Sequence, residues 1–502
     1  MALTQSQRSA LRHPVKWLFN PEPEQEGEIP RGELTNYTVG LMGQNMLYGM
    51  AGGKFFHFCT NVMMIDNITV GKMMGAVTLF DALNDPVAGA LIDNYRFKDG
   101  RKLLPWMKLT SPPIALAAFL MFVNWGLPTQ GLRVLYCIAA YVIWDILYSF
   151  QDAALWGITA AIHPASAQRA RATQFADIGA MLGGFPPALL LPMISGEGAF
   201  GLGQQQVYMI FAAVLCLGGG FLAMTSLRTV ERVRSLPGEE KSVWKNIGAL
   251  RHNYIVLLFL AYEVLNKVCP IVTDTYVYQQ LSYQVGSKTV NAGAVVLILE
   301  AITGIPGASL KFFAGKVAER VGGMKRLLVI GRVTEIIVRL LQYLVGINTL
   351  PGLILVFVLN GIKELPNNIT NIAQRTMISD SVEYVEWKTG ERTEGITMSV
   401  RNLMSKMSGA VEKFIQGYVL DFLQFDARLV EQNKPQNAHF KKWIWPTYIL
   451  GPVIGLMISL VPILLLNYPD SLKARVESEM AERRALAAHA AGEAAVQEAV
   501  GP

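Results

Sequence analysis

Charged side chains are scarce in this sequence. Asp, Glu, Lys and Arg make up 16% of its 502 residues, whereas hydrophobic residues make up 52%. Soluble domains carry about 25% charged residues, so the chain lacks the polar surface that a water-soluble protein of this size needs. The net charge of +6 comes from bases in predicted loops and does not indicate nucleic-acid binding.

Residues and motifs for redox, metal or hydrolytic chemistry are also few. The chain has 4 cysteines and 6 histidines, and it contains no HExxH, CxxC or GxSxG motif. These absences argue against a membrane enzyme and against a bound cofactor. All four cysteines fall in apolar segments, so we expect packed free thiols rather than disulfides at Cys59, Cys137, Cys216 and Cys269. The tails are too short for the signalling domain of a transporter-like sensor.

Long apolar stretches are present instead. Examples are residues 112–125, 205–225, 253–261, 343–360 and 446–467. A transmembrane helix needs about 20 residues, so the chain from Tyr37 to Leu466 holds about twelve. Polar residues interrupt several of these spans, which is typical of helices that line a wet cavity. The sequence predicts an all-α protein of the cell membrane.

Lysine and arginine occur in alternate loops. They concentrate at 94–104, 169–171 and 227–251 and are absent from 124–132 and 194–205. The positive-inside rule therefore places both termini in the cytoplasm, although the loop 424–442, predicted outside, carries four bases. The predicted organisation is a cytoplasmic arm (1–35), a six-helix half (36–226), a middle loop (227–251), a second six-helix half (252–468) and a cytoplasmic tail (469–502).

A short loop pattern recurs six spans later. Each copy has a glycine, three residues, an acid and then a base: Gly89, Asp93 and Arg101 in the first, and Gly315, Glu319 and Arg320 in the second. Glycine permits close approach of helix ends, and the acid can pair with loop bases or a helix N-terminus. One copy alone would fit an ordinary helix cap. The recurrence predicts two related halves. It resembles the loop signature of the major facilitator superfamily, and this resemblance implies that the two loops act as conformational-switch loops.

The second span carries two acids one turn apart. Asp81 and Asp85 are spaced i, i+4, so their carboxylates face the same side, about 6 Å apart at Cβ. Like charges buried together either share a proton or hold a cation. Pro86 frees a backbone carbonyl nearby. The alternative is that one acid caps a loop or pairs with Lys72.

The fourth span carries a matching polar stripe. Asp145, Ser149, Asp152 and Trp156 recur at spacings of four, three and four. Asp152 and Ser149 would complete an oxygen site with the second span, which suits Na⁺ or Li⁺, and paired carboxylates serve H⁺ equally. Trp156 offers a stacking face for a sugar, with plain packing as the alternative. Asp145 is open to a structural role.

Bases also occur inside the second half. Lys406 lies in the predicted eleventh span and needs an acid, for which the carboxylates of the first half are natural partners. His57, in the first span, either faces the cavity or packs in the core. Two further acid–base pairs are interpreted as structural or gating pairs: Glu263 with Lys267, and Lys363 with Glu364.

Two long segments resemble the glycoside–pentoside–hexuronide:cation symporters of the major facilitator superfamily. They run from Asp81 to Trp106 and from Asp380 to Gly395, the latter leading to Lys406, and the resemblance covers residues 35–468. It implies the major facilitator fold, with about twelve transmembrane helices in two halves. It also implies a cation site at Asp81, Asp85, Asp152 and Ser149, with Lys406 as charge partner.

The substrate side departs from the family pattern. Asn45, beside Gln44, stands where the family has an acid that holds sugar hydroxyls, and Asp177 lies near the place of a sugar-binding arginine. An Arg–Asp clamp is therefore absent, which leaves the substrate open. The candidate substrate-binding residues are Gln44, Asn45, Trp156, Asp177, Arg401 and Asn402.

The resulting hypothesis is a monomeric symporter in the lipid bilayer that imports a sugar, glycoside or uronide by alternating access. Its coupling ion is Na⁺, with H⁺ and Li⁺ as alternatives. A proton-coupled carrier or a uniporter of a non-sugar solute in the same fold is the second reading.

Overall fold

The computed structural model describes most of the chain. The described residues are 18–23, 27–95, 97, 101–194, 202–233, 254–268, 272, 274–278, 281–291, 293–295, 320–389, 394–432, 434–467, 472–476, 478–480 and 482–483. The chain divides into two compact units. Unit 1 comprises Met1–Glu239, Val272–Leu297 and Lys413–Ile444, and unit 2 comprises Glu240–Ile271, Ile298–Glu412 and Trp445–Pro502.

Helices dominate both units. The long helices are α1 (Arg31–Asn61), α2 (Asn67–Asn94), α3 (Leu104–Leu120), α4 (Gln130–Ala161), α5 (Ser166–Gly184), α6 (Gln204–Arg228), α7 (Tyr254–Val268), α8 (Met324–Val345), α9 (Leu350–Thr389), α10 (Glu394–Phe422) and α11 (Ala438–Leu465). The short elements are the 3-10 helix Pro186–Leu189, the α-helices Leu190–Ile194, Asp274–Tyr278 and Ala427–Glu431, and an antiparallel hairpin of β1 (Ser282–Val285) with β2 (Lys288–Asn291).

Three of the described helices, α4, α6 and α11, are long and apolar enough by composition alone to cross a membrane. Other long helices carry the polar residues that the sequence places in cavity-lining spans. The predicted all-α class agrees with this architecture, whereas the count of about twelve spans stays a prediction.

Capping residues and glycines position the helices of unit 1. Asp66 caps α2 by accepting a 2.9 Å hydrogen bond from the Thr69 N–H, as a helix N-terminus requires. A Cβ at Gly179 of α5 would overlap the Thr38 carbonyl of α1. Only glycine therefore permits this separation of α1 and α5.

The helices of unit 1 surround an apolar cluster. Its buried members include Tyr37, Leu41, Leu104, Met107, Leu155 and Ile158. The prediction of packed free thiols is confirmed for Cys59, Cys137 and Cys216, which are buried and free, whereas Cys269 lies outside the described residues.

The segment after α6 ties together helix ends of unit 1. The Glu231 carboxylate accepts hydrogen bonds from three consecutive backbone N–H groups at the start of α3: Lys102 (2.9 Å), Leu103 (2.9 Å) and Leu104 (2.6 Å). Arg232 forms a 2.7 Å ion pair with Glu33 at the start of α1. The first N–H groups of a helix lack intrahelical partners and favour a negative charge, so Glu231 satisfies α3 from a distant segment.

Unit 2 includes part of the tail. Val476 and Met480 are buried in one cluster with Phe259 and Leu328. At the end of α9, the indole N–H of Trp387 donates a 2.6 Å hydrogen bond to Glu479. Val476 and Met480 of the tail therefore belong to the apolar core of this unit.

Candidate cation and substrate site

The helices α1 and α4 meet at Asp152. Gln44 Nε2 donates a 2.6 Å hydrogen bond to Asp152 Oδ1, and the Tyr148 hydroxyl donates to the same oxygen at 3.2 Å. Asn45 Nδ2 in turn donates to Gln44 Oε1 at 3.1 Å. Hydrogen bonds to an ionised carboxylate are among the stronger ones in proteins. Three residues chosen from the sequence, Asn45, Gln44 and Asp152, thus form one connected polar group.

The helices α2 and α4 meet at Ser149. Its hydroxyl accepts a 3.0 Å hydrogen bond from Asn84 Nδ2 and donates one of 3.1 Å to the Asp145 carbonyl. Asn84 lies between Asp81 and Asp85, and all three are half-buried. The polar face of α2 therefore packs against the polar stripe of α4.

Sequence reasoning missed Asn84 as a site residue. The available signal was its position three residues after Asp81, which places it on the same helix face. Its NH₂ group donates to Ser149, so Oδ1 is the atom that Asn84 would offer to a cation. Carboxylate, amide and hydroxyl oxygens are the ligands that hard cations prefer.

The structure does not bring the three predicted acids into one metal-binding group. Among the residues that it describes, no three His, Cys, Asp or Glu side chains are arranged to hold a metal ion. Asp152 is instead bonded to Gln44 and Tyr148. Asp145, with 1% exposure, is buried in unit 1.

Aromatic rings border Asp152. Tyr148 stacks between Trp144, at a centroid distance of 5.1 Å, and Tyr48, at 5.3 Å. Trp156 is half-buried and packs against the apolar cluster of unit 1. Asp177 is exposed on α5. Sequence reasoning missed Tyr48 and Tyr148, because only long-range packing places them beside Asp152.

The bases predicted in the second half lie on helices of unit 2. Arg401 forms hydrogen bonds of 3.0 and 3.2 Å with both oxygens of Glu263. The expected partner of Glu263, Lys267, has a side chain outside the described part of the chain. Asn402 is exposed and Lys406 is half-buried, and their roles stay predictions.

Unit 2 also contains a buried ionic network that the sequence analysis did not single out. Arg332 donates to the Tyr262 hydroxyl at 2.7 Å and pairs with Glu335 at 2.8 Å. Arg339 pairs with the same carboxylate at 3.1 Å. Spacings of three and four within an apolar span were the available signal. The predicted pair of Lys363 with Glu364 is confirmed at 3.2 Å.

His57 is 4% exposed, forms a short hydrogen bond with the Tyr208 hydroxyl and lies against the Tyr208 ring. It is therefore a packed histidine in this structure.

The predicted switch loops are only partly described. Arg101 and Arg320 are exposed. A Cβ at Gly89 would meet no described atom within 4 Å, so no close helix approach involves this glycine here. The side chain of Asp93 and all of Gly315 and Glu319 lie outside the described residues.

Curated relatives of the chain are transporters. An uncharacterized symporter, YjmB of Bacillus subtilis (strain 168), is 23% identical over 92% of this chain and 97% of its own length. A lactose permease of Lactobacillus delbrueckii is 25% identical over 76% of this chain, which spans only 61% of that permease. A glucuronide carrier protein homolog of Escherichia coli (strain K12) is 24% identical over 79% of this chain and 85% of its own length.

Solved transporter structures share the fold. A mutant of the nucleoside transporter NupG matches with a TM-score of 0.61 at 13% identity, covering 87% of this chain and 100% of that chain. A D-xylose-proton symporter matches with a TM-score of 0.57 at 12% identity, covering 85% of this chain and 96% of that chain. These likenesses confirm the major facilitator fold predicted from the sequence.

A family model described as MFS/sugar transport protein matches residues 36–470. A match over this length covers both groups of predicted spans and both segments that resemble the cation symporters. The chain therefore belongs to the MFS/sugar transport protein family and is a multi-pass membrane transporter of the major facilitator superfamily rather than an enzyme.

Proposed function

We propose that this transporter is a sodium-coupled symporter that imports a sugar, glycoside or uronide by alternating access, with both termini in the cytoplasm. One observation carries the proposal most directly. The Asn84–Ser149 hydrogen bond holds the face of α2 that bears Asp81 and Asp85 against the stripe of α4 that leads to Asp152. Helix α4 therefore connects the residues that we propose bind the cation with Asp152, which we propose binds the solute.

The chemistry of the α2 face supports a cation. Two carboxylates one turn apart in low dielectric repel each other, and a bound cation relieves that repulsion. Asn84 Oδ1 and the Ser149 hydroxyl supply neutral oxygens beside them. A site of this composition suits a hard monovalent ion and does not require Asp152 as a third acid.

The group around Asp152 supports a hydroxylated solute. Sugar hydroxyls both donate and accept hydrogen bonds, so Asp152 can accept from them while the amides of Gln44 and Asn45 do either. Relatives named for sugars include the lactose permease, a raffinose carrier protein of Pediococcus pentosaceus and an isoprimeverose transporter of Lactiplantibacillus pentosus. These names favour the sugar class without selecting one sugar.

Coupling between cation binding and solute binding follows from the positions of their ligands on one helix. Ser149 and Asp152 lie three residues apart on α4, so a cation that fixes Ser149 also restrains the helix turn that presents Asp152. Binding of the cation and of the solute must then favour each other reciprocally.

A stabilisation screen tests the proposal. Purified protein is heated with lactose, raffinose, isoprimeverose or methyl β-D-glucuronide, in NaCl, LiCl or choline chloride and at two pH values. We expect at least one sugar to raise the melting temperature, with a larger rise in NaCl than in choline chloride. Stabilisation that depends on pH but not on Na⁺ would assign the coupling to H⁺. A protein stabilised by none of these sugars contradicts the proposed solute class.

A further inference from the structure

A partly exposed tyrosine ring lies beside the Asp152 group. Tyr48 is 49% exposed and follows Gln44 by one turn on α1. Its ring stacks on Tyr148 with an interplanar angle of 28°. Tyr148 precedes Asp152 by one turn on α4 and donates a hydrogen bond to it. Tyr48 and Tyr148 therefore each lie one turn from a residue of the Gln44–Asp152 hydrogen bond, which joins α1 to α4.

The position of the Tyr48 ring is fixed from two sides. Tyr148, against which it lies, stacks in turn on Trp144, which is 1% exposed. One turn beyond Tyr48 on α1, a Cβ at Gly52 would lie 3.1 Å from Tyr48 Cε2. The missing side chain at Gly52 therefore leaves room for the ring. A ring held in this way loses little conformational freedom when a ligand packs on it.

A lipid-facing role does not suit this residue. Tyr48 lies in the middle of the 31-residue helix α1, whereas membrane tyrosines concentrate at the interfaces, where the hydroxyl meets water. A mid-membrane hydroxyl toward lipid would enter a region without hydrogen-bonding solvent. The adjacent Gln44–Asp152 bond marks this side of α1 as polar.

We propose that Tyr48 is a substrate-binding residue, on which the apolar face of a pyranose ring packs while the sugar hydroxyls bind Gln44, Asn45 and Asp152. The proposal rests on the proposed function and specifies a cyclic sugar as the solute. The C–H groups on one face of a pyranose gain dispersion contacts with the ring, whose face carries partial negative charge. Open-chain polyols offer no such face, so Tyr48 selects rings.

The test separates Tyr48 from Trp156, the other candidate platform. Sodium-driven uptake of lactose, raffinose and methyl β-D-glucuronide is measured in proteoliposomes for wild type, Tyr48→Leu, Tyr48→Phe and Trp156→Leu. We expect Tyr48→Leu to raise the KM of each transported sugar about tenfold, with the half-saturating Na⁺ concentration changed by less than about twofold. Tyr48→Phe keeps the ring face and retains most of the affinity.

A second variant provides the same test at a different residue. If Tyr48→Leu does not fold, Gly52→Leu takes its place, because a Cβ at Gly52 already lies 3.1 Å from Tyr48 Cε2 and a larger side chain displaces the ring. We expect Gly52→Leu also to raise KM with little change in Na⁺ dependence. An unchanged KM in Tyr48→Leu overturns the inference, as does an equal shift in sugar and Na⁺ dependence, which a merely structural role predicts. Loss of affinity in Trp156→Leu alone also overturns it. A wild type that transports none of the three sugars contradicts the proposed function itself.

Discussion

Gln44 and Asp152 are joined by a 2.6 Å side-chain hydrogen bond across 108 residues of chain. Gln44 is 1% exposed, so water cannot readily replace its partner. The contact holds α1 to α4 and fixes one carboxylate oxygen of Asp152.

Removing this donor should weaken solute binding. Hydrogen bonds to charged groups contribute about 1.5–3 kcal/mol, and because Asp152 is half-buried we take the lower end, or about a tenfold rise in KM for Gln44→Leu. Uptake kinetics at saturating Na⁺ measure it. Gly53→Leu, at a position of α1 where a Cβ meets no described atom within 4 Å, serves as the control and should leave KM unchanged. A KM in Gln44→Leu equal to that of wild type would show that the bond does not support solute binding.

A second prediction concerns the contact of α2 with the last part of α10, which belongs to unit 1. A Cβ at Gly71 would lie 2.7 Å from the Gly417 Cα, and one at Gly417 would lie 2.5 Å from the Asn67 carbonyl oxygen. We expect the maximal uptake rate to fall in the order wild type, Gly71→Ala, Gly71→Leu, because larger side chains prevent this packing, while solute binding to the purified protein persists.

The control for this series is Gly53→Leu, since a Cβ at Gly53 meets no described atom within 4 Å. An unchanged rate in Gly71→Leu would mean that transport does not require the Gly71–Gly417 contact.

The acid that caps α3 gives a prediction about stability. Glu231→Ala leaves three backbone N–H groups without their acceptor, which we expect to lower the unfolding free energy by about 1–2 kcal/mol. Thermal unfolding in detergent measures the change. Glu431→Gln, at an exposed acid of the same unit, is the control. Equal melting temperatures for Glu231→Ala and the control would show that Glu231 does not stabilise the protein by capping α3.

The sequence predicted which residues share a polar helix face better than it predicted which residues of other helices they contact. Helical spacing alone placed Asp81 with Asp85 and Ser149 with Asp152, because a period of 3.6 residues fixes which side chains share a face. Asn84 fell on a predicted face and was nevertheless missed, since amides are common in helices that line cavities. Family resemblance supplied the fold, which the comparisons confirm.

Contacts between distant helices were beyond the reach of the sequence. Glu263 was expected to pair with Lys267 four residues away, a prediction that stays untested because the Lys267 side chain is not described. The structure pairs Glu263 with Arg401, 138 residues along the chain, and spacing gave no sign of this contact. The stacking of Tyr48 on Tyr148 likewise depends on how α1 lies on α4. Spacing within one helix carries no information about such pairs.

The docked tail gives a prediction with a pH dependence. Glu479 accepts hydrogen bonds from Arg475 at 2.7 Å and from Trp387 at 2.6 Å, and these bonds lower its pKa below the ordinary 4.5. A lowered carboxyl pKa means that docking is fully favoured above pH 4.5 and weakens as the pH falls through the lowered value.

Limited proteolysis tests the docking at neutral pH. Glu479→Gln should expose the tail to trypsin faster than Glu482→Gln, a change at a neighbouring exposed acid. The difference between the two variants should shrink at acidic pH with an acid-active protease. Identical cleavage rates at neutral pH would indicate that Glu479 does not hold the tail.

Sodium dependence of sugar uptake in Asp85→Asn tests the central proposal most directly. Proteoliposomes with wild type, Asp85→Asn and Asp66→Asn are compared with and without an inward Na⁺ gradient; Asp66→Asn is the control because Asn caps a helix about as well as Asp. We predict that Asp85→Asn loses Na⁺-stimulated uptake but still exchanges sugar across the membrane, while Asp66→Asn behaves as wild type. Na⁺-stimulated uptake that is unchanged in Asp85→Asn would contradict the account.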